Sequence, residues 1–178
     1  MRILKGSHTL RERRLKLTLS RDLELGERPV WLQLAGANGL GKTTFIEKIL
    51  IPGLKGRKIP FLYLGQDFRT QVYTLKALLA VELKDRVADD MPGLLTQWVT
   101  HHRQAKVLIL DEFDKYPAHA QHIFKISRDF IRTYVTVSHA EQPVSPGAPF
   151  DKRVLLFRPA AREGGLLRVG IEESGPWS

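Results

Sequence analysis

Nine residues constrain this chain more than all the others: Gly36 to Thr44, reading GANGLGKTT. The spacing is G-x-x-x-x-G-K-[ST], with Gly36, Gly41, Lys42 and Thr43 in the required positions. Glycine lets the backbone turn with its N–H groups facing inward, which makes a nest for phosphate oxygens. A helix opening near Lys42 adds the positive end of its dipole. The flanks agree with this reading. An apolar run, Val30 to Ala35, precedes the loop, and Phe45, Ile46, Ile49 and Leu50 follow at helical spacing. Gly36, Asn38, Gly39, Leu40, Gly41, Lys42, Thr43 and Thr44 are therefore expected to surround the phosphates of a nucleotide. Lys42 reaches the β- and γ-phosphates and the Thr43 hydroxyl ligates Mg²⁺.

A second signal lies downstream, in VLILDE, residues 107–112. A buried strand ending in Asp puts a carboxylate at the carboxyl edge of a sheet, beside the phosphate loop. Asp111 is expected to hold Mg²⁺, directly or through water. Glu112 is expected to polarise the attacking water as general base. Gln66 and His139 each follow a short apolar run, at the edge where ligands bind in open α/β sheets. Gln66 is a candidate for Mg²⁺ or the water, and His139 for the γ-phosphate. His8, His101, His102, His119 and His122 show no metal-ligand spacing with carboxylates, and His101-His102 reads as a solvated helix end. Trp31 reads as core.

Order along the chain gives the fold class. Strand-like runs at 30–35, 61–64, 107–110 and 134–137 alternate with helical patterns to Leu50, over 70–86, to His102 and over 118–131. Pro52-Gly53 and residues 55–58 read as a polar turn. The expectation is an α/β P-loop NTPase. Its sheet is mainly parallel, with helices on both faces. Alternating leucines over 10–26 add an N-terminal antiparallel strand pair, and residues 154–157 and 166–171 a C-terminal hairpin around Gly164-Gly165. One domain spans 1–178: basic strands over 1–29, a nucleotide-binding core over 30–140, and a loop and hairpin over 141–178.

Composition narrows the partners. The 178 residues carry a net charge of +9 and no Cys, so disulfides and thiolate metal sites are excluded. No apolar run is long enough to span a membrane, and a cytoplasmic location is the default. Residues 1–20 hold six basic side chains against Glu12 alone, a surplus of +5. That patch reads either as a solvated strand face or as a contact for nucleic acid, a membrane surface or an acidic partner.

The ordered set of motifs resembles the ATP-binding cassette (ABC) ATPases. The matching pieces are LELGERPVWLQLAGANGLGKTT for Walker A, FLYLGQ for the Q-loop, VLILDE for Walker B, VTVSHA for the switch-histidine loop, and DKRVLLFRP with GGLLRVG for the terminal hairpin. The resemblance covers about residues 15–171 and implies an ATPase with ATP and Mg²⁺ as cofactors. The sequence departs from the family between Gln66 and Asp111, where no LSGGQ-like signature occurs. In that family two cassettes sandwich ATP, so this chain could supply the Walker side and a protein partner or dimer mate the other. No aromatic residue precedes Val30 to stack on adenine; His8, Arg13 or Arg14 could take its place.

Two other classes share the motif. A nucleic-acid-associated AAA+ or RecA-like ATPase fits the basic N-terminus and DEFDK. A small-molecule kinase fits Arg69, Lys84 and Arg86 as a basic lid, although the Asp-Glu pair favours water as acceptor.

Overall fold

A computed structural model describes residues 2–25, 28–65, 68–83, 87–111, 116–137 and 145–174. Its strands are β1 (Arg2–Ile3), β2 (Gly6–Leu10), β3 (Leu15–Leu19), β4 (Leu23–Glu24), β5 (Val30–Ala35), β6 (Phe61–Leu64), β7 (Val107–Leu110), β8 (Thr133–Val137), β9 (Asp151–Glu163) and β10 (Leu166–Ser174). Eight of them form one sheet in the order β2-β3-β10-β9-β5-β8-β7-β6, and β1 pairs with β4 apart from it. Within the sheet only β2–β3 and β9–β10 are antiparallel; the other five pairings are parallel. The expected fold class holds, including the N-terminal pair and the hairpin.

The hairpin is not an appendage. β9 lies alongside β5, with Leu34 opposite Leu155, and β10 pairs in parallel with β3, with Val169 opposite Leu17. Strands β2 and β3 from the start of the chain and β9 and β10 from its later part therefore extend the core sheet on the side of β5 away from β8. No local pattern announces such a pairing, because it joins segments about 150 residues apart.

Strand alternation builds two cores. Leu32, Leu34, Val107, Ile109, Val135 and Val137 point to one face, packed under Phe45, Ile46, Leu50 and Leu54. Trp31, Leu62, Leu64, Leu108, Leu110 and Tyr134 point to the other, against three helices: α3 (Phe68–Leu83), α4 (Met91–His101) and α5 (Pro117–Ser127). A parallel strand covered on both faces must be apolar throughout, which is why VLIL is buried at every position.

Two helix boundaries differ from the sequence reading. The helix after the loop does not stop near Leu50. It begins as α1 (Lys42–Phe45), widens through a π-type stretch (Ile46–Leu50) and continues as α2 (Ile51–Gly56) through Pro52-Gly53. Proline lacks the N–H that would bond the carbonyl four residues back, and its ring crowds that carbonyl. A widened turn relieves both, and burial of Leu54 holds the extra turn down. Helix α5 ends at Ser127 rather than 131. There the Ser127 hydroxyl donates to the Ile123 carbonyl at 2.6 Å and accepts from the Tyr134 phenol at 2.7 Å. The Phe130 and Ile131 amides fold back onto the Ser127 carbonyl.

Candidate functional site

β5 delivers the chain to the glycine loop, and α1 takes it away. Gly36, Gly39 and Gly41 have φ of 140°, 78° and 85°, a region that residues with a Cβ rarely enter. Two of these glycines are also pressed against the sheet. A Cβ on Gly36 would fall 2.6 Å from the Phe157 carbonyl oxygen of β9, and one on Gly41 would fall 2.5 Å from Cδ2 of Leu15 on β3. The Phe45 amide bonds the Gly41 carbonyl at 2.7 Å and starts the helix.

Lys42 is 95% removed from solvent, being 5% exposed. Its ammonium donates to the Gly36 carbonyl at 2.7 Å and the Ala37 carbonyl at 2.9 Å. The loop thus closes around a fixed positive charge. The chain has a P-loop α/β fold. No protein-family model matches it, and no curated protein does. Among solved structures, a KaiC-like protein from the hyperthermophilic archaeon Pyrococcus horikoshii OT3 is similar at 16% identity and a TM-score of 0.41. That likeness covers 82% of this chain and 77% of that one.

The P-loop opens onto a cavity of about 520 Å³. Asn38, Gly39, Gly41, Lys42, Thr43 and Thr44 line it from the loop and α1, and Val137 from the tip of β8. Gly36 and Leu40 do not: Gly36 backs onto Phe157, and the Leu40 side chain is buried in the core. On the far wall stand Arg13 and Arg14, with Leu15 and Leu167. Arg13 closes a short 3₁₀ turn (Arg11–Arg13), and Arg14 follows it in the left-handed region at φ 48°. The Arg14 carbonyl accepts from the Leu167 amide at 2.8 Å, and Glu12 pairs with Lys48 at 3.0 Å. The basic N-terminus is therefore partly committed to this cavity.

Asp111 caps β7 and is 1% exposed. Its amide bonds the Leu64 carbonyl at 2.8 Å, tying the tips of β7 and β6 together. β8 lies between β7 and β5, so the aspartate is two strands from the P-loop strand. Near it the Tyr63 phenol, hydrogen-bonded to Glu47, is pushed well above its ordinary value by burial and by the negative charges of Asp111 and Glu47. Glu47 also lines the cavity. The sequence reading missed this residue, although four positions after Thr43 on a helix places it on the same face. Trp31 is buried as expected, its indole donating to the Thr136 hydroxyl at 2.9 Å.

Gln66, Glu112 and His139 lie outside the described residues, as do Lys84 and Arg86. Their strands are placed: β6 ends two residues before Gln66, β7 two before Glu112, and β8 two before His139. The amide of Gly65, the residue before Gln66, donates to the Gln71 side chain of α3 at 2.8 Å.

Proposed function

We propose that this protein binds and hydrolyses ATP with Mg²⁺ at the P-loop cavity. The observation that carries the reading is the buried Lys42 ammonium held at the floor of a polar cavity between two left-handed glycines and a pair of threonines. A cavity of about 520 Å³ is of the size that small-molecule ligands fill. The P-loop amides and Lys42 would receive the β- and γ-phosphates. Arg13 and Arg14 stand where they can meet the base or the phosphate chain.

Thr43 and Asp111 offer hydroxyl and carboxylate oxygen, the hard donors that Mg²⁺ prefers. The ion they hold would neutralise charge on the β- and γ-phosphates. Glu112 takes a proton from water as its oxygen bonds to the γ-phosphorus. The bond from that phosphorus to the bridging oxygen breaks, and ADP leaves with the electron pair. Gln66 and His139 orient the water and the γ-phosphate. The narrower reading, an ABC-like cassette working on a partner protein or a dimer mate in the cytoplasm, rests on the order of these motifs in the sequence.

Binding of a fluorescent ATP analogue tests the site. Lys42→Ala should weaken it about 100-fold, near 2.7 kcal/mol, with the fold checked by circular dichroism. Equal binding by both proteins overturns the assignment. Glu112→Gln should bind ATP but release no phosphate; unchanged turnover removes Glu112 as base. Phosphate release without a phosphorylated product separates hydrolysis from kinase chemistry.

A further inference from the structure

Away from the cavity, three metal-ligating side chains converge between two helix ends. Glu82 stands in the last turn of α3, and His101 and His102 end α4. The Glu82 carboxylate oxygen Oε2 is 3.4 Å from His101 Nε2 and 3.7 Å from His102 Nε2, and all three donor atoms fall within 4.8 Å of one another. Adjacent histidines looked like a solvated helix end in the sequence. The fold supplies the carboxylate, because the segment after α3 doubles back along it: Lys76 pairs with Asp89 at 3.1 Å, and the Ala88 amide bonds the Gln97 side chain at 2.8 Å.

The hydrogen bonding sets the chemistry. His102 Nδ1 lies 2.9 Å from the Trp98 carbonyl. A carbonyl only accepts, so Nδ1 carries the hydrogen, and in the neutral ring the lone pair belongs to Nε2. That lone pair faces a carboxylate oxygen. At 3.7 Å the two atoms are too far apart for a direct hydrogen bond, which leaves room for a cation between them. The same carboxylate oxygen also faces His101 Nε2 at 3.4 Å, so a single cation can reach all three donor atoms. Backbone anchoring of the distal ring nitrogen is also what fixes metal-binding histidines elsewhere. The negative ends of two helix dipoles meet at the same place.

We propose that Glu82, His101 and His102 form a site for a borderline divalent cation of the Zn²⁺ class. Two imidazoles and one carboxylate are a donor set that suits it, with a fourth position open to water. Zinc–ligand bonds of about 2.0–2.1 Å put tetrahedral donors about 3.3 Å apart, close to the 3.4 Å between Glu82 and His101. The ion clamps the end of α3, the helix that follows the Gln66 segment, to the end of α4. This site stands independently of the reading of the P-loop cavity.

Titration of the full chain with Zn²⁺, in excess Mg²⁺ to occupy oxygen sites, tests the proposal by calorimetry and thermal melting. One equivalent should bind and raise the melting temperature. Co²⁺ should give the intense visible absorption of a tetrahedral centre. His101→Ala and His102→Ala should each weaken binding by at least about 10-fold, while His119→Ala and His122→Ala leave it unchanged. No stoichiometric binding, a Co²⁺ spectrum like the aqua ion, or affinity retained in the His101→Ala/His102→Ala double variant overturns the proposal.

Discussion

Gly41 and Leu15 are in contact so close that a single methyl group on the glycine would collide with the leucine, at 2.5 Å from its Cδ2. The P-loop is thus moulded against β3, whose Leu15, Leu17 and Leu19 belong to the same buried core as the central strands. Gly41→Ala meets both this collision and a left-handed φ of 85°. It should cost about 1–3 kcal/mol and abolish nucleotide binding. Leu15→Ala alone should cost about 2–5 kcal/mol. In the double variant the losses should fall short of additive by about 1 kcal/mol, read from urea melts, because the leucine methyl is no longer there to collide. Strict additivity would mean that the two residues do not press on each other.

Arg14 carries a side chain in a backbone region that costs a residue with a Cβ about 1–2 kcal/mol. If its guanidinium serves the cavity, Arg14→Ala and Arg14→Gly should lose the same affinity for MgATP, about 10-fold. Their stabilities should differ, with Gly above Ala by about 1 kcal/mol. The affinity loss should shrink at high salt, since Arg14 is exposed. A full-strength Arg14→Ala site would remove this residue from nucleotide binding.

Tyr134 is buried, and burial pushes its phenol from 10 to about 12. A raised tyrosine favours the neutral phenol in the folded state. Its contribution is complete below pH 10 and is lost as pH rises towards 12. Tyr134→Phe should lower stability at neutral pH by about 1 kcal/mol. It should also flatten the alkaline limb of the stability curve. An alkaline limb identical to wild type would assign that loss to other groups, Tyr63 first.

Glu173 behaves in the opposite sense. Its carboxylate receives both ends of the Arg153 guanidinium, at 2.5 and 2.8 Å, which lowers its proton affinity from the ordinary 4.5. The stabilisation is present above pH 4.5 and disappears as pH falls through the depressed value. Glu173→Gln should remove that part of the acid transition, with little effect on binding at neutral pH. Both partners are partly exposed, so the change is modest.

The central strands, both helical layers and the glycine loop were legible because each is coded locally, by unbroken apolar runs or by spacing along nine residues. What was not legible depends on meetings between distant segments. Nothing in LKLTL or LLRVG says that the two strands pair in parallel. Helix α2 passes through Pro52-Gly53 because Leu54 is buried, and burial outweighs local propensity. Glu47 reached the cavity by helical periodicity, which the motif pattern does not include. Arg13 and Arg14 arrived from an N-terminal patch that reads as generic charge. The Glu82–His101–His102 cluster needed a chain reversal that no motif encodes.

The splicing of β3 onto β10 has a consequence for biosynthesis. A ribosome releases the glycine loop early, but Leu15 is bedded against it only once residues 166–174 have emerged to join β3 to the sheet. A nascent chain halted before that point keeps the whole sequence motif and lacks the wall that shapes it.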